Sequence, residues 1–303
     1  MPEMKLAAPH KDTKNYQEIL PNIRANFRKG LFTYFSGDAS DKQLGRKLIE
    51  YIISGNQDKA KELLTLHPHL ASQRHTFTDW SGRTFKNCSL FQFILWGLDV
   101  RYMGNMVLDC LPENEEGEAI RIKLMEQAQE LETQGLTYTF KHKTYREKHF
   151  SFEPIKSSLN TYVENHATWT RAERVHHCHK VIGKEQAMLP THVRQHYCDP
   201  KVPFYPTPKF TQEKFTRSLN FYNVLRKKFE VWDNKLEGLG TQFSMSRWSH
   251  TECNAGCDVL RRVYETDLMA LSTLEKVRTE TDLPLLMERL KTPIRKNDLV
   301  VTP

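Results

Sequence analysis

Asp79-Trp-Ser-Gly-Arg-Thr-Phe85, with the apolar run Ser89-Leu-Phe-Gln-Phe-Ile-Leu-Trp96 and a second apolar stretch to Leu108, is the part of the chain that decides the fold. Gly82 supplies a tight turn, and the β-branched and aromatic residues of Phe77–Phe85 predict a small hairpin-like finger. Phe91, Ile94, Leu95 and Leu98 then recur at helical spacing. After a bend, Met103, Met106 and Val107 do so again. Turn, short helix, bend and second helix follow in that order.

The same cadence is present upstream. Ser40-Asp-Lys-Gln43 has the spacing of a capping box and predicts a helix start. Leu44, Leu48, Tyr51 and Ile52 mark one helical face, and Gly55 supplies a left-handed stop. A second helix carries Ala60, Leu63 and Leu64 and ends before Pro68. The order of elements resembles an ankyrin unit, which implies a binding surface rather than chemistry. The two units lie 43 residues apart, Gly55 to Leu98, against about 33 in an ordinary ankyrin repeat. Two stacked units leave apolar ends open, so the C-terminal half is expected to cover them. The predicted fold is mainly α: ankyrin-like helix pairs with a hairpin-like finger, packed against a C-terminal helical domain. The expected divisions are an N-terminal arm (1–36), a repeat region (37–112) and a C-terminal domain (113–303).

Within that last region, Glu113-Asn-Glu-Glu-Gly-Glu118 places acids at a helix start, where the backbone dipole favours them. Ile120, Leu124, Ala128 and Leu131 form its inner face and Gly135 closes it. Lys141-His-Lys-Thr-Tyr-Arg-Glu-Lys148 reads as a basic, solvated connector. Thr170-Arg-Ala-Glu173 is a second capping box, with Ala172, Val175, Cys178 and Ile182 on one stripe. Five prolines between 190 and 208 predict an extended strap. Phe215, Leu219, Tyr222, Leu225, Phe229 and Trp232 match one helical face, and Leu260, Tyr264, Leu268, Leu271 and Leu274 another. Pro284 marks a bend or restart.

Composition narrows the function classes. The 303 residues are 39% hydrophobic, 11% aromatic and carry a net charge of +7. The longest apolar run, Ser89–Leu98, is too short to cross a bilayer, and the N-terminus has no apolar core of a secretory signal. Six cysteines in a chain of this length read as reduced, buried thiols. The basic excess comes without a zinc-finger spacing or an arginine-rich arm, so nucleic acid and anionic lipid are not expected as partners.

Three clusters invite a chemical reading. His176-His-Cys-His179 suggests a metal, but on a helix His176 and Cys178 point apart. His176 with His179 would need donors such as His250, Cys253 and Cys257. Cys198 near His192 and His196 suggests a thiol nucleophile, although such partners generally meet through the fold. Pro200, Pro203 and Pro206 suggest a polyproline ligand, with Phe204 and Tyr205 expected to pack inward. No phosphate loop is present. No catalytic residue, metal or cofactor is assigned. A thiol- or zinc-dependent enzyme built on C-terminal Cys and His residues remains the alternative. Asp79, Trp80, Arg83 and Phe85 are the candidate partner-binding residues, because Trp and Arg are common interface anchors.

As a series, Gly55-Asn-Gln-Asp-Lys-Ala-Lys-Glu-Leu-Leu64, Asp79–Trp96, Val181-Ile-Gly-Lys-Glu-Gln-Ala-Met-Leu-Pro-Thr-His192, Tyr197-Cys-Asp-Pro200, Pro206-Thr-Pro-Lys-Phe210, Arg217-Ser-Leu-Asn-Phe-Tyr-Asn223 and Leu239-Gly240 resemble a family among the type IV (Dot/Icm) secreted effectors of intracellular bacterial pathogens. The resemblance spans residues 45–290. It implies delivery into the host cytoplasm and binding to a host protein or another effector.

Overall fold

Helix α1 (Gly37–Ile53) starts three residues before the predicted Ser40 cap, so Ser40 falls inside it. The computed structural model describes residues 37–199, 202, 204, 206–223, 227–232 and 258–294. Gly55 has φ +70°, the left-handed conformation its position called for. Helix α2 (Gln57–Leu66) follows, with the Asn56 side chain accepting from the Lys59 amide and with Ala60 and Leu64 buried. A 3₁₀ turn at Pro68–Ser72 ends it.

The predicted finger is there: β1 (Arg74–Thr78) and β2 (Thr84–Ser89) form an antiparallel hairpin. It is not isolated. The stretch read as a solvated connector is a second hairpin, β3 (Leu136–Phe140) and β4 (Lys143–Glu147), and the four strands pair in chain order. The register builds two rows. Phe77, Phe85, Tyr138 and Tyr145 lie side by side across the sheet, and so do Thr78, Thr84, Thr139 and Thr144 one position along. Successive strand residues face opposite sides, so Phe77, Phe85 and Tyr138 turn to the core, Tyr145 at the end of the row is exposed, and the threonine row faces the other side. The period-two pattern Thr137-Tyr-Thr139 was present in the connector, hidden by the charges after it.

Helix α3 (Leu90–Trp96) opens with a full capping box between Ser89 and Gln92. A π-helical turn (Val100–Gly104) leads into the short α4 (Asn105–Asp109), and the long α5 (Glu115–Gln134) packs across α3. Its acidic start, its buried Ile120, Leu124, Ala128 and Leu131, and its Gly135 stop match expectation. Gly117 is required there: a Cβ would lie 1.8 Å from the Pro112 carbonyl oxygen. The two helix pairs differ in construction, since the first turns at Gly55 and the second passes through a π turn. Residues 45–303 cluster as one unit, inside which the expected 112/113 division falls.

The C-terminal half corrects the sequence reading in three places. Helices α6 (Glu153–Asn165), α7 (Arg171–His176) and α8 (Gly183–Ala187) enclose a second π-helical turn, His177–Ile182. The Thr170–Glu173 capping box forms. The proposed stripe splits, with Cys178 and Ile182 buried but Ala172 and Val175 exposed. The wider π turn rotates the face that follows it. Next, the strap contains helix α9 (Thr191–Cys198), entered at Pro190. Finally, the described residues of Phe215–Trp232 form no helix. Residues 214–219 have no regular secondary structure, and β5 (Asn220–Asn223) pairs with β6 (Lys228–Val231). Burial alternates at Leu219 and Phe221, a strand period that coincided with helical spacing. The long helix α10 (Asp258–Val277) packs on α6 and passes through a third π turn (Arg278–Asp282) into α11 (Leu283–Lys291), with Pro284 in its first turn. The described chain is thus mainly helical with a small antiparallel sheet.

Candidate functional site

The four predicted residues separate. Asp79 organises the finger tip: one carboxylate oxygen accepts from the Ser81 amide (2.9 Å), the Ser81 hydroxyl (2.6 Å) and the Arg83 amide (3.0 Å). Gly82 takes φ +89° to close the turn. Arg83 is only 6% exposed. Its guanidinium lies 5.3–5.5 Å from the ring centroids of Trp96, Tyr138 and Phe150, and it donates to the Ser81 hydroxyl and the Met188 carbonyl. Phe85 is fully buried, against Phe77, Phe93, Trp96 and Tyr138. Arg83 and Phe85 are therefore core residues and not contact residues. The strand period turns Phe85 inward, and the aromatic cage satisfies the Arg83 cation. Trp80 alone reaches the surface, 38% exposed, with the Arg194 guanidinium 5.7 Å from its ring.

What the sequence reading missed is a polar centre where the first and third π turns meet. Arg217 makes a two-pronged bond to Asp99 (2.7 and 3.0 Å) and also donates to the side-chain oxygens of Gln57 and Gln195. Burial alone would raise the Asp99 carboxyl. Arg217, with His192 and Arg278, holds it below its ordinary value. Arg278, fully buried, pairs with Asp282 and donates to the Phe210 carbonyl and the His196 ring. Asp282 also receives Arg101 at 2.9 Å, which bonds in turn to the carbonyls of Thr211 and Gln212. Five segments far apart in sequence are tied at this point.

Helix α9 contributes two histidines to it. His192 donates from Nε2 to the Gly97 carbonyl at 2.6 Å, and burial lowers its pKa to about 4. His196 stacks on Phe215 with ring centroids 4.0 Å apart. Burial, then the Arg278 and His192 charges, lower its pKa well below the ordinary histidine value. The crevice beside Asp99 and His192 holds about 30 Å³, room for a water molecule and far below the several hundred Å³ of a ligand pocket. The guanidinium groups here bond to carboxylates, carbonyls and the His196 ring, while Arg278 Nε and the Nδ1 atoms of His192 and His196 are left without a hydrogen-bond partner among the described residues. The arrangement holds segments together.

The chemical clusters fare differently. Cys178 is buried against the Tyr264 hydroxyl, whereas His176 and His179 are exposed, so these three do not converge. His250, Cys253 and Cys257 lie outside the described residues. Among the described residues no three His, Cys, Asp or Glu side chains gather as a metal site. His192 and His196 turn to Gly97 and Arg278, and Cys198 lies two positions past His196, on another side of the helix. Burial pushes the thiols of Cys88 and Cys110 up, away from thiolate reactivity. Phe204 packs inward as expected, and no described helix is long and apolar enough to cross a membrane.

The molecule is a mainly helical protein with a four-stranded sheet, pinned by a central arginine–carboxylate–histidine network and bearing one exposed tryptophan on its finger. The chain belongs to the family of the Coxiella burnetii (strain RSA 493 / Nine Mile phase I) protein described as uncharacterized protein CBUA0006. The two are 32% identical over 272 residues, 84% of this chain and 78% of that relative. Residues 154–290 match the family model described as the CBUA0006 C-terminal domain. No solved structure matches.

Proposed function

We propose that the chain is a secreted bacterial effector acting by protein–protein binding, masking a surface of a host protein or of another effector. The observation that carries the reading is Trp80: a large aromatic side chain at the surface, on a turn fixed by Asp79 and Gly82 and backed by Arg194. A rigid aromatic loses little freedom on docking, which is the property of an interface anchor. The polar centre ties five segments together and has room beside it for about one water molecule, which supports a scaffold rather than a reaction site. Ankyrin-like use of the helix pairs, with the finger projecting from them, is part of the same proposal.

Membership in a family with a Coxiella burnetii protein, together with the resemblance to type IV effectors, supports delivery into the host cytoplasm. A translocation reporter fused to the full chain tests it: signal from a bacterium with a working type IV system, and none from a secretion-deficient one. Binding is tested by purifying the chain and its Trp80→Ala variant from host lysate, then reconstituting the captured partner. The reading expects a loss of affinity of about tenfold or more on losing Trp80, with unfolding unchanged. Equal affinity of both forms removes Trp80 as the anchor.

A further inference from the structure

The second hairpin has a feature that the Trp80 turn does not explain. Its two connecting residues, Lys141 and His142, both have positive φ, 47° and 64°. A two-residue connection of that kind is a type I′ turn, for which Asn-Gly is the low-cost choice. Here a lysine and a histidine occupy positions that disfavour any β-carbon, and the strain buys display: both stand exposed at the tip. That tip adjoins the finger, since a β-carbon built on Gly82 would meet the Phe140 ring at 3.6 Å and the Lys141 ammonium sits 5.2 Å from the centroid of the same ring.

Strand β4 is the end strand of the sheet, and Lys143, Thr144, Tyr145 and Arg146 are all exposed. A type I′ hairpin closed by the Phe140–Lys143 pair bonds Lys143, Tyr145 and Glu147 to β3. The amides and carbonyls of Thr144 and Arg146 then point outward. Among the described residues no strand takes them up. The hairpin carries Lys141, Lys143, Arg146 and Lys148 against the single carboxylate of Glu147. Of these, Lys148 pairs with Glu132 in an exposed contact, and Arg146 donates to the Thr137 hydroxyl.

We propose that the outer edge of β4 accepts an acidic, extended peptide segment as a fifth strand. This rests on the reading of the chain as a protein-binding module and names the chemistry of the partner. Backbone hydrogen bonds to Thr144 and Arg146 supply the register, and the cationic side chains select for carboxylates. Charge decides against the other occupants. A second copy would set one basic edge against another. The chain's own residues 1–36 carry six Lys and Arg against three Asp and Glu, and its last nine carry Arg295 and Lys296 against Asp298. Lysines on an end strand also discourage indiscriminate pairing, which leaves an oppositely charged strand as the one admitted.

The test is fluorescence anisotropy of the full chain with a labelled alternating Glu-Val peptide, its Lys-Val counterpart, and the Glu-Val peptide N-methylated throughout its backbone. The Glu-Val peptide binds, and the other two bind about tenfold more weakly or worse. Thr144→Pro removes an outward amide without touching the β3 ladder, so it weakens the Glu-Val peptide by a similar factor. Should that variant unfold, Arg146→Glu with Lys148→Glu decides, because the reversed edge then prefers the Lys-Val peptide. The proposal is overturned by no Glu-Val binding, or by binding that ignores both N-methylation and Thr144→Pro, which is attraction to any polyanion. It is also overturned by self-association through this edge, or by an RNA that binds the edge where the peptide does not. A host partner lost with Trp80→Ala but retained by Thr144→Pro sinks the edge and leaves the binding module standing.

Discussion

Arg217 shows what a single side chain does in this protein. It reaches Asp99 with two nitrogens while holding Gln57 and Gln195, so its removal strands a sheltered carboxylate without its main counter-charge. Arg217→Ala is expected to cost about 3 kcal/mol or more in urea unfolding. Arg217→Lys recovers only part of it, because an ammonium cannot reproduce the two-pronged bond. His192 gives a signed pH dependence. Its folded pKa of about 4 lies below the unfolded value of about 6.5, so it has no cost above that pH. As pH falls from about 6.5 towards 4 the unfolded chain takes the proton first, and stability drops by about 3 kcal/mol. His192→Gln should flatten that part of the stability–pH curve; an unchanged slope would place the dependence elsewhere. Neither residue's role in this centre was legible in the sequence. Arg217 and Asp99 are 118 positions apart, and nothing local links a buried arginine to the acid it will meet.

Elements were legible in proportion to how local their causes are. Gly55, the Thr170–Glu173 box, the acidic start of α5 and the finger turn each depend on a few neighbouring residues, and each is found where expected. The Phe215–Trp232 segment failed because a hydrophobic spacing of three and four accommodates both a helix and a short hairpin. The α9 segment failed because prolines on both sides masked eight helical residues. The β3–β4 hairpin was hidden for a different reason: its sheet partner β2 lies some fifty residues upstream, and its own charges read as solvation. Of the candidate site, Trp80 and the capping Asp79 were readable, whereas burial of Arg83 depends on Tyr138, Phe150 and Met188, all distant in sequence. Element junctions offer their own check. Gly117→Ala forces a β-carbon onto Pro112 and should destabilise the entry to α5 by about 2 kcal/mol or more, visible as a lowered Tm.

At the scale of the molecule, two clusters of different chemistry hold the described chain. One is the aromatic group of Phe77, Phe85, Phe93, Trp96 and Tyr138, which fastens the sheet to α3. The other is the polar centre, which ties the first and third π turns to α9 and the 210–217 segment. Phe85→Ala should cost about 3–5 kcal/mol, since it empties the middle of the first cluster. The clusters meet through α3 and the turn after it, so damage to either is expected to lower one shared unfolding transition rather than release a separate domain. Two resolved transitions in calorimetry would contradict this.

Cys88 has a consequence of its own. It has no exposed surface, and its thiol is held far from ionisation by its surroundings. Iodoacetamide can therefore reach it only when the sheet parts from α3. In a chain with Cys253 and Cys257 replaced by serine, the pace of alkylation at position 88 becomes a clock for that opening, and a docked strand on the neighbouring hairpin should slow it.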